Sequence, residues 1–126
     1  MLFWSVPIVV VAVGVLIFFR SKKRSTDTFA SHVLPHGELV KLCEGVYQVE
    51  GSLPHGVGLP RNMVVYQIPK TNSLLLHSVI ALNEEEMKKL EELGDPNIII
   101  VPNHLHTLDA SVYQRRYPHI KTVTNL

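Results

Sequence analysis

The chain has 126 residues, 46% of them hydrophobic and 18% charged, which fits one modest domain and excludes a disordered or collagen-like protein. Its formal net charge of +1 is unevenly spread: residues 1–24 hold Arg20, Lys22, Lys23 and Arg24 and no acid, so the remainder is mildly acidic. A basic cluster confined to the flank of an apolar run excludes nucleic acid as a partner and points to anionic lipid headgroups.

Leu2–Phe19, LFWSVPIVVVAVGVLIFF, carries no charge. About 18 residues at 1.5 Å each give roughly 27 Å of helix, close to the hydrocarbon thickness of a bilayer. Arg20, Lys22 and Lys23 follow it, where their side chains reach headgroups. A cleaved signal peptide needs its positive charges before the apolar run and a small-residue cleavage site, and neither is present. The expectation for residues 1–24 is a single transmembrane anchor with a basic flank. The positive-inside bias puts the following domain in the cytosol, on the endoplasmic reticulum or the mitochondrial outer membrane. Cys43 is the only cysteine, and no Asn-x-Ser/Thr sequon occurs, both in keeping with a cytosolic domain.

Residues 25–37 are polar and contain Pro35 and Gly37, the composition of a linker. From residue 38 the pattern becomes that of a packed domain. LVKLCEGVYQVEG at 39–51 has two apolar stretches split by Glu44-Gly45, a hairpin or a bulged strand. GSLPHGVGLPR at 51–61 is a loop. Met63–Ile68 and Leu74–Val79 are strands, joined by Pro-Lys-Thr-Asn as an antiparallel hairpin. Asn83–Leu93 is a helix: Asn83 caps, Glu86 completes a capping-box pattern, and Met87, Leu90 and Leu93 form an apolar stripe. Glu84–Lys88 and Glu85–Lys89 are favourable pairs four apart, and Gly94-Asp95-Pro96 ends the helix. Ile98–Val101 has the uniform apolarity of a strand buried on both faces. Leu108–Tyr117 forms a second helix and Ile120–Thr124 a last strand. The expected fold class is α/β, a mixed sheet of order β-β-β-α-β-α-β over residues 38–126, preceded by one N-terminal transmembrane helix.

Chemistry concentrates after the apolar strand, in IIIVPNHLHTLDA, because sites in α/β sheets gather at the carboxyl ends of strands. His104, His106 and Asp109 lie there within six positions, two nitrogen donors and a carboxylate suited to zinc or iron. The bland alternative makes both histidines loop residues and Asp109 the cap of the next helix. Cys43 sits in an apolar strand as a small packing residue, and His32, His36, His55, His77 and His119 are scattered.

GVYQVEG at 45–51, MVVYQIPKTNSLLLHSVIAL at 63–82, the EEEMKKLEELG helix, IIIVPNHLHTLD at 98–109 and RRYPHIKTV at 115–123 together resemble the N-terminal half of the metallo-β-lactamase fold, and in particular a poorly characterised family related to it. The resemblance implies a metal-dependent hydrolase site. Its usual motif, H-x-H-x-D-H, is not met: the aspartate, Asp109, is one place late and the last histidine is replaced by Ala110. Pro102, Asn103 and His106 match the P-N-x-x-H form of the related family instead, with His104 as an extra. The superfamily draws further ligands from a C-terminal half that residues 38–126 do not supply.

The expectation is therefore a single-pass membrane-anchored protein with a truncated metallo-hydrolase-like domain and incomplete catalytic machinery. No cofactor is expected, with zinc or iron on His104, His106 and Asp109 if a site is completed, and metal-assisted hydrolysis as the chemistry if there is any. Two rivals stand beside it: a non-catalytic scaffold whose sheet edges pair with a protein partner or a second copy, and the N-terminal fragment of a longer metal-dependent hydrolase.

Overall fold

The computed structural model describes residues 28–56 and 58–125. Eight regular elements follow in chain order: β1 (Val40–Cys43), β2 (Val46–Ser52), β3 (Pro60–Gln67), β4 (Ser73–His77), α1 (Glu84–Leu93), β5 (Asp95–Val101), α2 (Ala110–Arg116) and β6 (Lys121–Thr124). The strands form one sheet in the order β1-β2-β3-β4-β5-β6. The first three pairings are antiparallel, and β4-β5 and β5-β6 are parallel.

The expected architecture is corrected in two respects. Four strands precede the first helix, so the order is β-β-β-β-α-β-α-β. Glu44-Gly45 is a true hairpin turn, which the left-handed backbone of Gly45 (φ 72°) makes possible, and the bulge falls beside it between Lys41 and Cys43. The two apolar stretches are thus two strands, where the expected order counted one. Secondly, among the described residues no helix is long and apolar enough to cross a membrane. The apolar run and basic flank expected to form the transmembrane helix lie outside the described residues.

Side chains alternate along each strand, and register assigns them to faces. Val49, Met63, Val65, Leu74, Leu76, Ile99 and Val101 point one way and are all buried. Both parallel connections cross on that side, since right-handed crossovers stepping the same way along a sheet put their helices on one face. Met87 and Leu90 of α1 and Val112 and Tyr113 of α2 close the same core.

Helix α1 forms much as its sequence indicates. Asn83 is extended and its side chain accepts the Glu86 N–H at 2.9 Å. Glu84, Glu85 and Glu86 occupy the first turn, where the helix dipole favours acids. The capping box is only half formed. The Asn83 N–H goes to His36 Nε2, while Glu86 accepts from the Leu39 N–H at 2.7 Å and pairs with Lys89 at 2.6 Å. Glu84 reaches across to Arg116 of α2 instead of Lys88. After α1, Gly94 passes so close to Asn72 that a Cβ would stand 2.8 Å from its carbonyl oxygen, and the Asp95 N–H bonds that same oxygen to start β5.

Residues 28–39, inside and beyond the stretch with linker composition, lie along the helical side. Phe29 makes an edge contact with Tyr113 and lies under Arg116, and His36 bridges to Gly51.

Candidate functional site

The carboxyl end of β4 starts the site. Ser78 continues the ladder by donating its N–H to Ile100 O at 3.0 Å, then turns with a left-handed backbone (φ 58°), which strains a non-glycine residue. Its hydroxyl lies 3.0 Å from His77 Nδ1. Val79, Ile80, Ala81 and Leu82 follow, all buried yet in neither helix nor strand. Buried backbone outside regular structure needs outside partners. Tyr113 supplies one, its hydroxyl donating to Ile80 O at 2.8 Å. Burial pushes the Tyr113 phenol well above its usual range, so it remains a neutral donor. Asp109 supplies the other: its Oδ2 accepts the Ala81 N–H at 2.9 Å.

The same Oδ2 lies 2.8 Å from Arg61 Nη1 of β3, and both side chains are buried, 11% and 1% exposed. Arg61 Nε donates to Ser52 O at 2.9 Å. Its Nη2 is buried and has no partner among the described residues. Gly51, opposite Arg61 in the β2–β3 register, makes the fit possible: a Cβ there would stand 3.1 Å from Ile80 Cδ1. An ion pair thus fastens the start of β3 to the chain leaving β5, over 48 positions of sequence.

A cavity of about 330 Å³ adjoins this pair, lined by polar Arg61, Asn62, Ser78 and His106 and by apolar residues that include Val79 and Leu108. Leu59, Leu105 and Leu108 are exposed there, Leu105 to 85%. Its polar groups suit binding of an oxygen acceptor. The Ser78–His77 contact lacks the carboxylate that would orient an imidazole for nucleophilic catalysis, since His77 has no such partner among the described residues.

The segment singled out for metal binding takes a different shape from an open ligand array. His104–His106 form one turn of 3-10 helix, capped by Asn103, whose side chain accepts the Leu105 N–H at 2.9 Å. His104 is exposed and His106 is half-buried at the cavity. Asp109 precedes α2 but makes no side-chain cap there; its Oδ2 instead accepts from the Ala81 N–H and pairs with Arg61. Among the described residues no group of three or more His, Cys, Asp and Glu side chains is placed to hold a metal ion. A carboxylate oxygen already shared by a guanidinium and a backbone N–H is a poor metal donor, and the donor set does not fit a closed zinc or iron centre.

Arg61 and the buried 79–82 segment carry no mark in the sequence that announces them. Arg61 ends a loop rich in Gly and Pro and opens an apolar strand, and its partner is far along the chain. No protein-family model matches the chain, and no curated protein matches it.

Proposed function

We propose that this chain is a membrane-attached domain that keeps part of a metallo-hydrolase-like layout and serves as a non-catalytic interaction domain. The observation that carries the reading is the Arg61–Asp109 pair. A hydrolytic metal centre needs its carboxylate free to meet the ion, whereas this one joins β3 to the segments flanking α1 and α2. His104 and His106 then act as surface residues of a capped turn. The apolar residues 2–19 and the basic cluster at 20–24 support attachment to a membrane with the domain in the cytosol.

The test uses the intact chain. Alkaline carbonate should leave it with the membrane pellet, and protease added outside sealed microsomes or mitochondria should digest residues 25–126. Supplied with zinc or ferrous iron, it should turn over no ester, lactam or phosphodiester. Release by carbonate, or protection from protease, would refute the attachment and its orientation. Metal-dependent turnover lost in His106→Ala would refute the non-catalytic reading.

A further inference from the structure

The face of the sheet opposite the helices is largely apolar, with Gln48, His77 and Lys121 as its polar members in the two central rows, and nothing among the described residues covers it. Cross-strand register lays its side chains out in rows. One row runs Val40, Gln48, Val64, His77, Ile100, Val123 from β1 to β6. The next runs Val46, Tyr66, Leu75, Ile98, Lys121 from β2 to β6. The contrast along a single strand is sharp: Ile99 is 0% exposed, while Ile98 and Ile100 on either side are only half-buried. Val40 and Val123, at the two ends of the first row, are 54% and 55% exposed. Parallel strands with uniformly apolar sequences are ordinarily covered on both faces, and a bare apolar sheet face is an interaction surface.

We propose that this face packs against the same face of a second copy of the chain, forming a two-fold sheet-on-sheet dimer. The proposal stands on the sheet alone and goes beyond the reading above. The rows bring mostly apolar positions together. A two-fold axis parallel to the strands lays β1 over the partner copy's β6, β2 over β5 and β3 over β4, and keeps each row in register. The two exposed valines, Val40 and Val123, then meet across the interface. Val46 falls over Ile98, and Tyr66 over Leu75. Like charges do not clash, since Lys121 of β6 falls over β1 of the partner copy and Glu50 of β2 over its β5; the polar Gln48 and His77 fall over Ile100 and Val64.

The size is sufficient. Strands about 4.8 Å apart with a rise of about 3.3 Å per residue give an apolar footprint of roughly 24 Å by 17 Å. Counted as accessible surface over two copies this is on the order of 1,000 Å², the lower bound of a specific interface. The edges are poorer candidates. Both end in short strands of four residues, and β1 is bulged, features that discourage strand addition.

The full chain is purified in detergent and its protein mass measured by light scattering at about 50 μM, where a low-micromolar interface of this size is populated. A dimer is expected. Ile100→Lys, at the centre of the first row, should raise the dissociation constant at least about a hundredfold, since it buries a charge without a partner. Because Ile100 faces outward in the single chain, far-UV circular dichroism should stay as in the unsubstituted protein, and the unfolding midpoints should agree once both proteins are diluted to where the dimer has dissociated. Geometry is tested in a Cys43→Ser background with Val40→Cys on one preparation and Val123→Cys on another. A bismaleimide spanning about 10 Å, the spacing of packed sheets, should cross-link the mixture far more than either preparation alone. A monomeric wild type would overturn the proposal. So would a dimer that survives Ile100→Lys, or one in which Val40→Cys cross-links chiefly to itself, the mark of β1 edge pairing.

Discussion

The replacement of Asp109 by alanine separates a structural carboxylate from a metal ligand. Asp109 is 1% exposed and its partner Arg61 is nearly as deeply buried, so the alanine leaves a guanidinium without its counter-ion. Breaking a buried pair from one side costs about 3–5 kcal/mol. The Ala81 N–H loses its acceptor as well, about 1–3 kcal/mol more if it stays dry. A total of about 4–8 kcal/mol is comparable with the whole stability of a small domain. Asp109→Asn keeps an oxygen for Ala81 and loses only the charge, and should cost about 2 kcal/mol. Replacing both partners by apolar residues, Arg61→Met with Asp109→Leu, removes the desolvation penalty together with the pair. It also removes the partnerless Nη2. The double variant should lie within about 2 kcal/mol of wild type, far from the sum of the single changes. Urea titration followed by far-UV circular dichroism measures each of these variants together with the single changes Arg61→Met and Asp109→Leu. Asp109→Ala costing less than about 1 kcal/mol, or single effects that add, would show that the pair does not fasten the fold.

Three other outcomes follow from the same packing. Leu90→Ala empties a fully buried position under α1 and should cost about 2–5 kcal/mol, while Asn83→Ala removes one cap bond and should cost about 1 kcal/mol, both by urea titration. Tyr113→Phe strips the side-chain donor that Tyr113 gives Ile80 O and should cost about 1 kcal/mol, with faster hydrogen exchange in residues 79–82 as its local signature. For Glu86, burial alone would raise the carboxyl, but the Lys89 bond and the Leu39 N–H outweigh it and hold the group below its ordinary value of 4.5. A depressed folded value means that the carboxylate stabilises the fold above 4.5 and that this stabilisation is lost as pH falls through the depressed value. The stability gap between wild type and Glu86→Gln should be full at pH 7 and close in acid, and a gap that widens in acid would contradict the assignment.

Local signals in the sequence are well kept by the fold. Asn83 caps α1, Gly94 ends it, and the strands expected at Met63–Ile68 and Leu74–Val79 appear as the neighbouring antiparallel β3 (Pro60–Gln67) and β4 (Ser73–His77), because their patterns need only nearby residues. Ambiguity enters where one residue decides between two local outcomes, as Gly45 does between a bulge and a hairpin. Long-range partners are not legible. Glu86 looks like a capping residue but bonds Leu39, 47 positions back. Asp109 looks like a ligand or a cap and is claimed by Arg61. Ile98–Val101 has the composition of a doubly covered strand, and only the register shows that the helices cover one face. In each case the competing choice depends on what the fold brings near, which neither spacing nor composition encodes.

We expect that His104, His106 and Asp109 do not make a metal centre. Elemental analysis of the intact chain, purified without chelator and dialysed against trace zinc, tests it most directly. Well under one equivalent of zinc or iron is expected, with an unfolding midpoint indifferent to chelator. One tightly held equivalent of metal, lost in His106→Ala and in Asp109→Asn, would contradict it.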